Sequence, residues 1–545
     1  MVYRQIALAA FAAAAPLSAA AQSNLPAPIE SQELRALDAW SVSAVSRADG
    51  ALNPDLWNRS EPEFLAQALE RLPANYDSPA AQSLARRVLL SGGEAPRGDA
   101  SEASRKRFEA LGRMGQADAL AVMAAGAGNA LSDPQIATYA AQAELARGRR
   151  NEACARGRSA TIGETPPPFL LRLRAYCAAA DGDRAAADLA LELSRGARAA
   201  SADDNWYSAA VSAVGGAPPA RATAARYDNS LSAQLSIAAQ FRPGPNPLNN
   251  ASNLALVALA RNDASPQPQR AQAAALAYRR GALNAAETRT ILLATPAEIT
   301  SALPSIVTAL RTVNTLQADA AATPEAQSAA ALARGRAIAE ALRTASAPAD
   351  FAAVAHFFKA DIAALPAAPD QAATLLFARA AIATGDARLG QRLTESARQS
   401  GAPAAALAPL DAAMAALAGL RGEQGLRTLH QRIDAGGGRA AARDVAILAA
   451  LGAQTDGQVQ RFLLANAPQG GVRADAGAML ALSNAVERGA LGEGALLAVA
   501  AAGEGGPARL DAESLERIIR ALRALRLEDD ARRFAAEALL AGAPS

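Results

Sequence analysis

Apolar residues recur at three- and four-residue steps in short stretches along this chain, and breaks rich in glycine, proline or asparagine separate the stretches. Near the end, Leu515, Ile518, Ile519, Leu522 and Leu525 fall on one helix face, with Asp511 placed to cap that helix. Near the start, Ser31 to Arg47 carries Leu34, Leu37 and Val45 on one side and predicts another amphipathic helix. Alanine, leucine and arginine dominate, while β-branched and aromatic residues are scarce, the aromatics making up 4% of the chain. These preferences favour helix and disfavour sheet, so the chain is expected to be all-α.

Glycines punctuate the helical stretches at regular steps. Gly115, Gly148, Gly182 and Gly216 are 33, 34 and 34 residues apart, and each falls between two helical patterns. After Gly148 and Gly182 the fifth residue is Ala153 or Ala187, opening a second helix; seven residues before those glycines stand Ala141 and Ala175. The segments YAAQAELARGRRNEACA from Tyr139 and LRAYCAAADGDRAAADLA from Leu173 carry this grammar. Gly281 with Ala286, Gly385, the series Gly422, Gly457 and Gly492 at 35-residue steps, and the Leu527 to Asp530 turn continue it.

Such a helix, a glycine turn and a second helix opened by a small residue resembles the tetratricopeptide or Sel1-type repeat. It lacks that repeat's bulky aromatic early in the first helix and its consistently placed closing proline. The resemblance implies an α-solenoid, a superhelix of antiparallel helix pairs built by stacking units on their neighbours. Breaks at Gly215 to Pro219 and at Pro243 to Asn250, and the confinement of every Trp and Tyr to the part before Arg279, divide the array. The expected sections are a lead-in and helix over 22–60, an N-terminal array over 61–240, a middle section over 241–370 and an Ala/Leu-rich array over 371–545.

The first 21 residues read differently. A polar start at Tyr3 and Arg4, an apolar run from Ile6 to Ala15, Pro16, and small residues from Ser18 to Ala21 make the three-part layout of a secretory signal peptide cleaved before Gln22. The run is too short to span a bilayer, which takes ~20 apolar residues, and no later stretch reads as a membrane helix. The expected destination is the periplasm.

Export bears on Cys154 and Cys177, the two cysteines, because an oxidising compartment permits a disulfide. With Asn151 to Ser159 as one helix and Phe169 to Ala179 as the next, folded about the Pro166 to Pro168 run, the two cysteines reach similar heights. A disulfide is expected, with a pair of free buried thiols as the alternative.

Charge is nearly balanced, 54 Lys and Arg against 52 Asp and Glu, which argues against a nucleic-acid partner. Of the 54, only Lys106 and Lys359 are lysines. His356 and His430 are the two histidines and show no zinc-protease spacing; no phosphate-binding glycine loop and no nucleophile elbow is present. Neither a metal nor a cofactor is expected. Soluble lytic transglycosylases look similar in having an Ala-rich superhelix of paired helices, and their catalytic Glu is followed by Ser, as Glu513 is by Ser514 here. The glycine-rich continuation of that motif is missing.

Basic side chains gather on the first units: Arg147, Arg149, Arg150, Arg156, Arg158, Arg172 and Arg174. Lined up on one face they would hold an anionic partner through bidentate contacts; interleaved with Glu144 and Glu152 they would be ordinary solvated helix faces. The functional expectation is a non-enzymatic scaffold or adaptor of the bacterial cell envelope that binds another protein on its superhelical surface. A peptidoglycan-acting or peptidoglycan-binding protein is the alternative.

Overall fold

Proline and short polar side chains set the starts of the helices. Pro62, Pro79, Pro134, Pro168, Pro324 and Pro348 each occupy the first helical position, where a missing N–H costs nothing. Ser78, Asp133, Asn229, Asp370, Asp475 and Asp511 cap first turns with side-chain oxygens. The computed structural model describes residues 38–160, 167–196, 202–218, 223–296, 304–316, 323–468 and 470–541. Among them are 27 α-helices and no strand, with only isolated bridges joining Ala224 to Arg242 and Val472 to Leu510. The signal peptide and its cleavage point before Gln22 lie outside the described residues.

Most helices pair with the next in the chain. The helices Pro134–Ala146 and Arg150–Ser159, Pro168–Ala180 and Arg184–Gly196, and Gln371–Ala383 and Ala387–Gln399 pack in this way. Gly148 turns the first of these pairs at φ +74°, a left-handed conformation that glycine adopts without strain. A Cβ there would meet nothing within 4 Å, so the constraint is conformational and not steric. Ala141, Ala153, Ala175 and Ala187 are all buried between the paired helices. The later glycines behave differently: Gly422 and Gly457 begin helices, and Gly492 lies inside the helix Leu491–Ala502.

The expected helix over Ser31 to Arg47 is not found in its described part, where residues 38–50 form turns. Asp38 accepts hydrogen bonds from the N–H groups of Trp40 and Ser41, at 2.9 and 2.7 Å, a local pairing that competes with helix. Arg107, fully buried, then fixes the segment. Its guanidinium donates to the carbonyls of Ala39, Leu89 and Ser91 at 2.8 to 3.0 Å and lies 5.2 Å from the Trp40 ring and 5.3 Å from the Trp57 ring.

The first and last helices of the described residues meet. Helices Pro62–Glu70 and Pro79–Leu90 pack on Leu491–Ala502, and Pro79–Leu90 also touches Glu528–Leu540. Polar contacts run along the seam. Glu493 accepts from the N–H of Glu61 at 3.0 Å, Arg87 pairs with Asp530 at 2.7 Å, and Glu504 accepts through its carbonyl from the N–H of Asp77 at 2.8 Å. Gly492 is required here, because a Cβ would stand 2.6 Å from the Trp57 ring. One continuous core therefore joins residues 39–291 to residues 378–540, with separate cores around residues 141–241 and 271–389.

Candidate functional site

A recess lies where these N- and C-terminal helices meet the middle of the chain. A cavity of about 460 Å³ is walled by the helix Pro79–Leu90 from the N-terminal end, by Pro348–Phe357 and Gln371–Ala383 from the middle, and by Glu528–Leu540 from the C-terminal end. Phe351, Ile382, Leu417 and Leu540 give it an apolar wall. Lys359, Arg379 and Arg533 bring positive charge, and Asp77 and Glu537 bring negative charge. A second cavity of about 610 Å³ adjoins it, sharing Asp77, Ser83, His356 and Arg533.

The two cavities differ in how their cations are engaged. In the second, Arg87 bonds to Asp530 and to the Gly50 carbonyl, Arg279 pairs with Asp350 at 2.6 Å and Asp77 at 3.4 Å, and Arg86 donates to Gln116 at 3.0 Å. Those groups hold helices together. In the first cavity, Lys359 is exposed and donates to the Thr384 carbonyl at 3.0 Å, and Arg533 is exposed. Arg379 lies 4.2 Å from the Phe351 ring, a cation–π arrangement, and burial pushes its guanidinium pKa down.

Two titratable groups at the cavity are strongly displaced. Loss of water pushes the Glu537 carboxyl up to about 7, against hydrogen bonds from Ser78 and from the N–H of Ala80 at 2.9 Å. Burial, with Lys359 nearby, holds the His356 imidazole down to about 4. His356 nonetheless keeps exposed surface, and it lines both cavities. The first cavity thus brings together three basic side chains, a Glu537 whose carboxyl is pushed up to about 7 by burial, and an Asp77 paired with Arg279.

Apart from His356 and Lys359, the residues that stand out in the sequence are elsewhere. Cys154 and Cys177 stand at disulfide distance, Cα atoms 6.0 Å apart, joining Arg150–Ser159 to Pro168–Ala180. Arg147 is engaged by Asp118 and Glu144, and Arg172 by Asp204 and the Tyr207 ring 4.0 Å away. Arg174 donates twice to the Gly157 carbonyl at the end of its neighbouring helix, and Arg150 pairs with Asp181 at 3.6 Å. Arg149 and Arg158 are exposed and Arg156 is half-buried. None of these arginines lines the central cavities. Glu513 is exposed and pairs with Arg517 at 2.6 Å, and His430 contacts Asp456 at 3.0 Å.

No local spacing or motif marks Glu537, Arg533, Arg379 or Asp77 in the sequence. Only His356 and Lys359, three residues apart and both of rare types in this chain, offered a signal, and it was a compositional one. Among the described residues, no helix is long and apolar enough to cross a membrane. All-α architecture closed end to end around a charged and apolar recess is the class that fold and site define. Comparison of the chain with protein-family models, with curated proteins and with solved structures finds no match.

Proposed function

We propose that the chain is an exported, non-enzymatic scaffold of the bacterial cell envelope, a TPR-like helical array that binds another protein. The observation that carries this reading is the central recess. Three distant stretches of chain converge there to place Lys359, Arg379 and Arg533 beside an apolar wall, the composition of a recognition surface for an anionic segment. The seam keeps the recess preformed, which lowers the ordering cost of binding. The disulfide fits the oxidising compartment that the N-terminal 21 residues are expected to lead to.

A peptidoglycan-cleaving role would rest on Glu513. A general acid of that kind works from an apolar pocket, whereas Glu513 lines a separate cavity of about 620 Å³ together with Arg473, Asp511, Glu516 and Arg520, and is exposed and ion-paired there, so the scaffold reading is preferred. A photo-cross-linking residue at Ser83, on the wall shared by both cavities, tests it in the native envelope. The expected product is an adduct with one protein, lost in Arg533→Glu. An adduct made only of glycan strands, with muropeptide release that Glu513→Gln abolishes, would replace the scaffold by the enzyme.

A further inference from the structure

We infer that the 460 Å³ cavity is a binding site for an amphipathic organic carboxylate, with its apolar body against Phe351, Ile382, Leu417 and Leu540 and its head among Lys359, Arg379 and Arg533. The inference rests on the scaffold reading above and names the chemistry of what the scaffold holds.

Four features of the cavity select this class. Its volume is within the ~300–1,000 Å³ typical of small-ligand sites, and a bare inorganic anion would leave the apolar wall unfilled. A purely apolar ligand would take water from Lys359 and Arg533, which are both exposed, and return no partner, an outcome that costs free energy for charge covered on binding. A cationic ligand would meet three like charges. A dianion such as a phosphate monoester would gain attraction only in proportion to its charge while its desolvation cost grows as the square of it, and it would meet Glu537 and Asp77 in the same walls; a single carboxylate avoids that cost. Glu537 adds a second role: with its carboxyl at about 7, it loses its negative charge as the medium turns mildly acidic, so an anion is held better at pH 6 than at pH 8. The other charged or titratable groups facing the head are Lys359, Arg379, Arg533, Asp77 and His356, the last held down to about 4 and so neutral over that range.

Such a carboxylate has two sources, the C-terminus of a partner protein ending in apolar residues or a free aliphatic acid. Calorimetric titration of the purified mature chain distinguishes them. The probes are octanoate, its neutral counterpart octanamide, and the tripeptide acetyl-Ala-Leu-Leu as free acid and as amide. Octanoate is expected to bind at least roughly tenfold more tightly than octanamide, and Lys359→Ala and Arg533→Ala each to weaken it by about tenfold, the scale of one charge-assisted hydrogen bond. Lys359→Arg should restore binding, and Arg158→Ala, on the outer surface, should leave it unchanged. Preference for the free-acid tripeptide over octanoate assigns the site to a chain terminus, and the reverse to an aliphatic acid. Equal affinity for octanoate and octanamide, no heat from any carboxylate, or indifference to both Ala variants overturns the inference, provided the variants keep the parent's unfolding temperature. Capture of a protein partner by a chain that ignores carboxylates would remove this inference and leave the scaffold standing. Carboxylate binding without any protein adduct would do the opposite.

Discussion

Glu537 accepts a hydrogen bond from the backbone N–H of Ala80 at 2.9 Å, across a separation of 457 residues. The carboxylate of a C-terminal helix thereby caps the first turn of an N-terminal one, where Ser78 is the local cap. Two further carboxylates, Glu493 and Asp530, reach N-terminal helices along the same seam, and burial raises the pKa of each.

The sign of the pH dependence follows from Glu537. Its carboxyl titrates near 7 in the folded chain and near 4.5 when free, so between those values the folded state holds the extra proton and stability rises as pH falls. His356 acts in the opposite sense: held near 4 against an ordinary 6.5, it costs stability as pH falls below about 6.5. Thermal unfolding of the parent should therefore shift upward from pH 8 to about pH 6.5 and then level, as the two opposed proton uptakes offset each other down to about pH 4.5. Glu537→Gln should be the more stable protein at pH 8 and lose the upward shift, and His356→Gln should go on gaining stability below pH 6.5 where the parent levels. A parent curve that falls steadily from pH 8 to pH 6.5 would contradict the assignment.

Arg107 is a buried cation satisfied by carbonyls and aromatic rings instead of a carboxylate. Arg107→Leu leaves the Ala39, Leu89 and Ser91 carbonyls without this donor, and each such loss costs about 1–3 kcal/mol. Urea unfolding should show a total loss of about 4 kcal/mol, larger than for removal of any exposed arginine such as Arg158.

The Cys154 to Cys177 bond closes a loop with a sequence separation of 23. In the chain-entropy account a loop of that size stabilises by roughly 3 kcal/mol. Reduction should add two hydrogens to the intact mass and lower unfolding stability by about that amount. An unchanged mass would mean free thiols.

Arg526 occupies a left-handed conformation, φ +61°, in the turn between Ala512–Ala524 and Glu528–Leu540. Earlier hairpins place glycine at such turns. A side chain there costs about 1–2 kcal/mol, partly offset by the ~0.5–1 kcal/mol entropic penalty of glycine. Arg526→Gly should stabilise the chain by about 0.5–1 kcal/mol in the same urea titration.

Much of the local structure was legible in the residues themselves. The face of Leu515, Ile518, Ile519 and Leu522 is fully buried, and Asp511 caps that helix at 2.7 Å. Gly115, Gly148, Gly182, Gly281 and Gly385 all stand in hairpin turns with positive φ, and the two cysteines meet. Periodicity, caps and turn residues act over a few positions, so the sequence alone determined most of the helices and the hairpins at these five glycines, but not the Ser31 to Arg47 segment or the roles of Gly422, Gly457 and Gly492. Which hairpin lies against which was decided by tertiary structure. Alanine-rich faces are nearly interchangeable as patterns, and the contacts that discriminate them, Arg87 with Asp530, Gly492 under Trp57 and Glu537 on Ala80, join residues more than 400 positions apart. The same closure brought Lys359, Arg379 and Arg533 to one recess, and dispersed the N-terminal arginines among local structural tasks. Local spacing carries no trace of either result, because each depends on surfaces that exist only once the two ends have met.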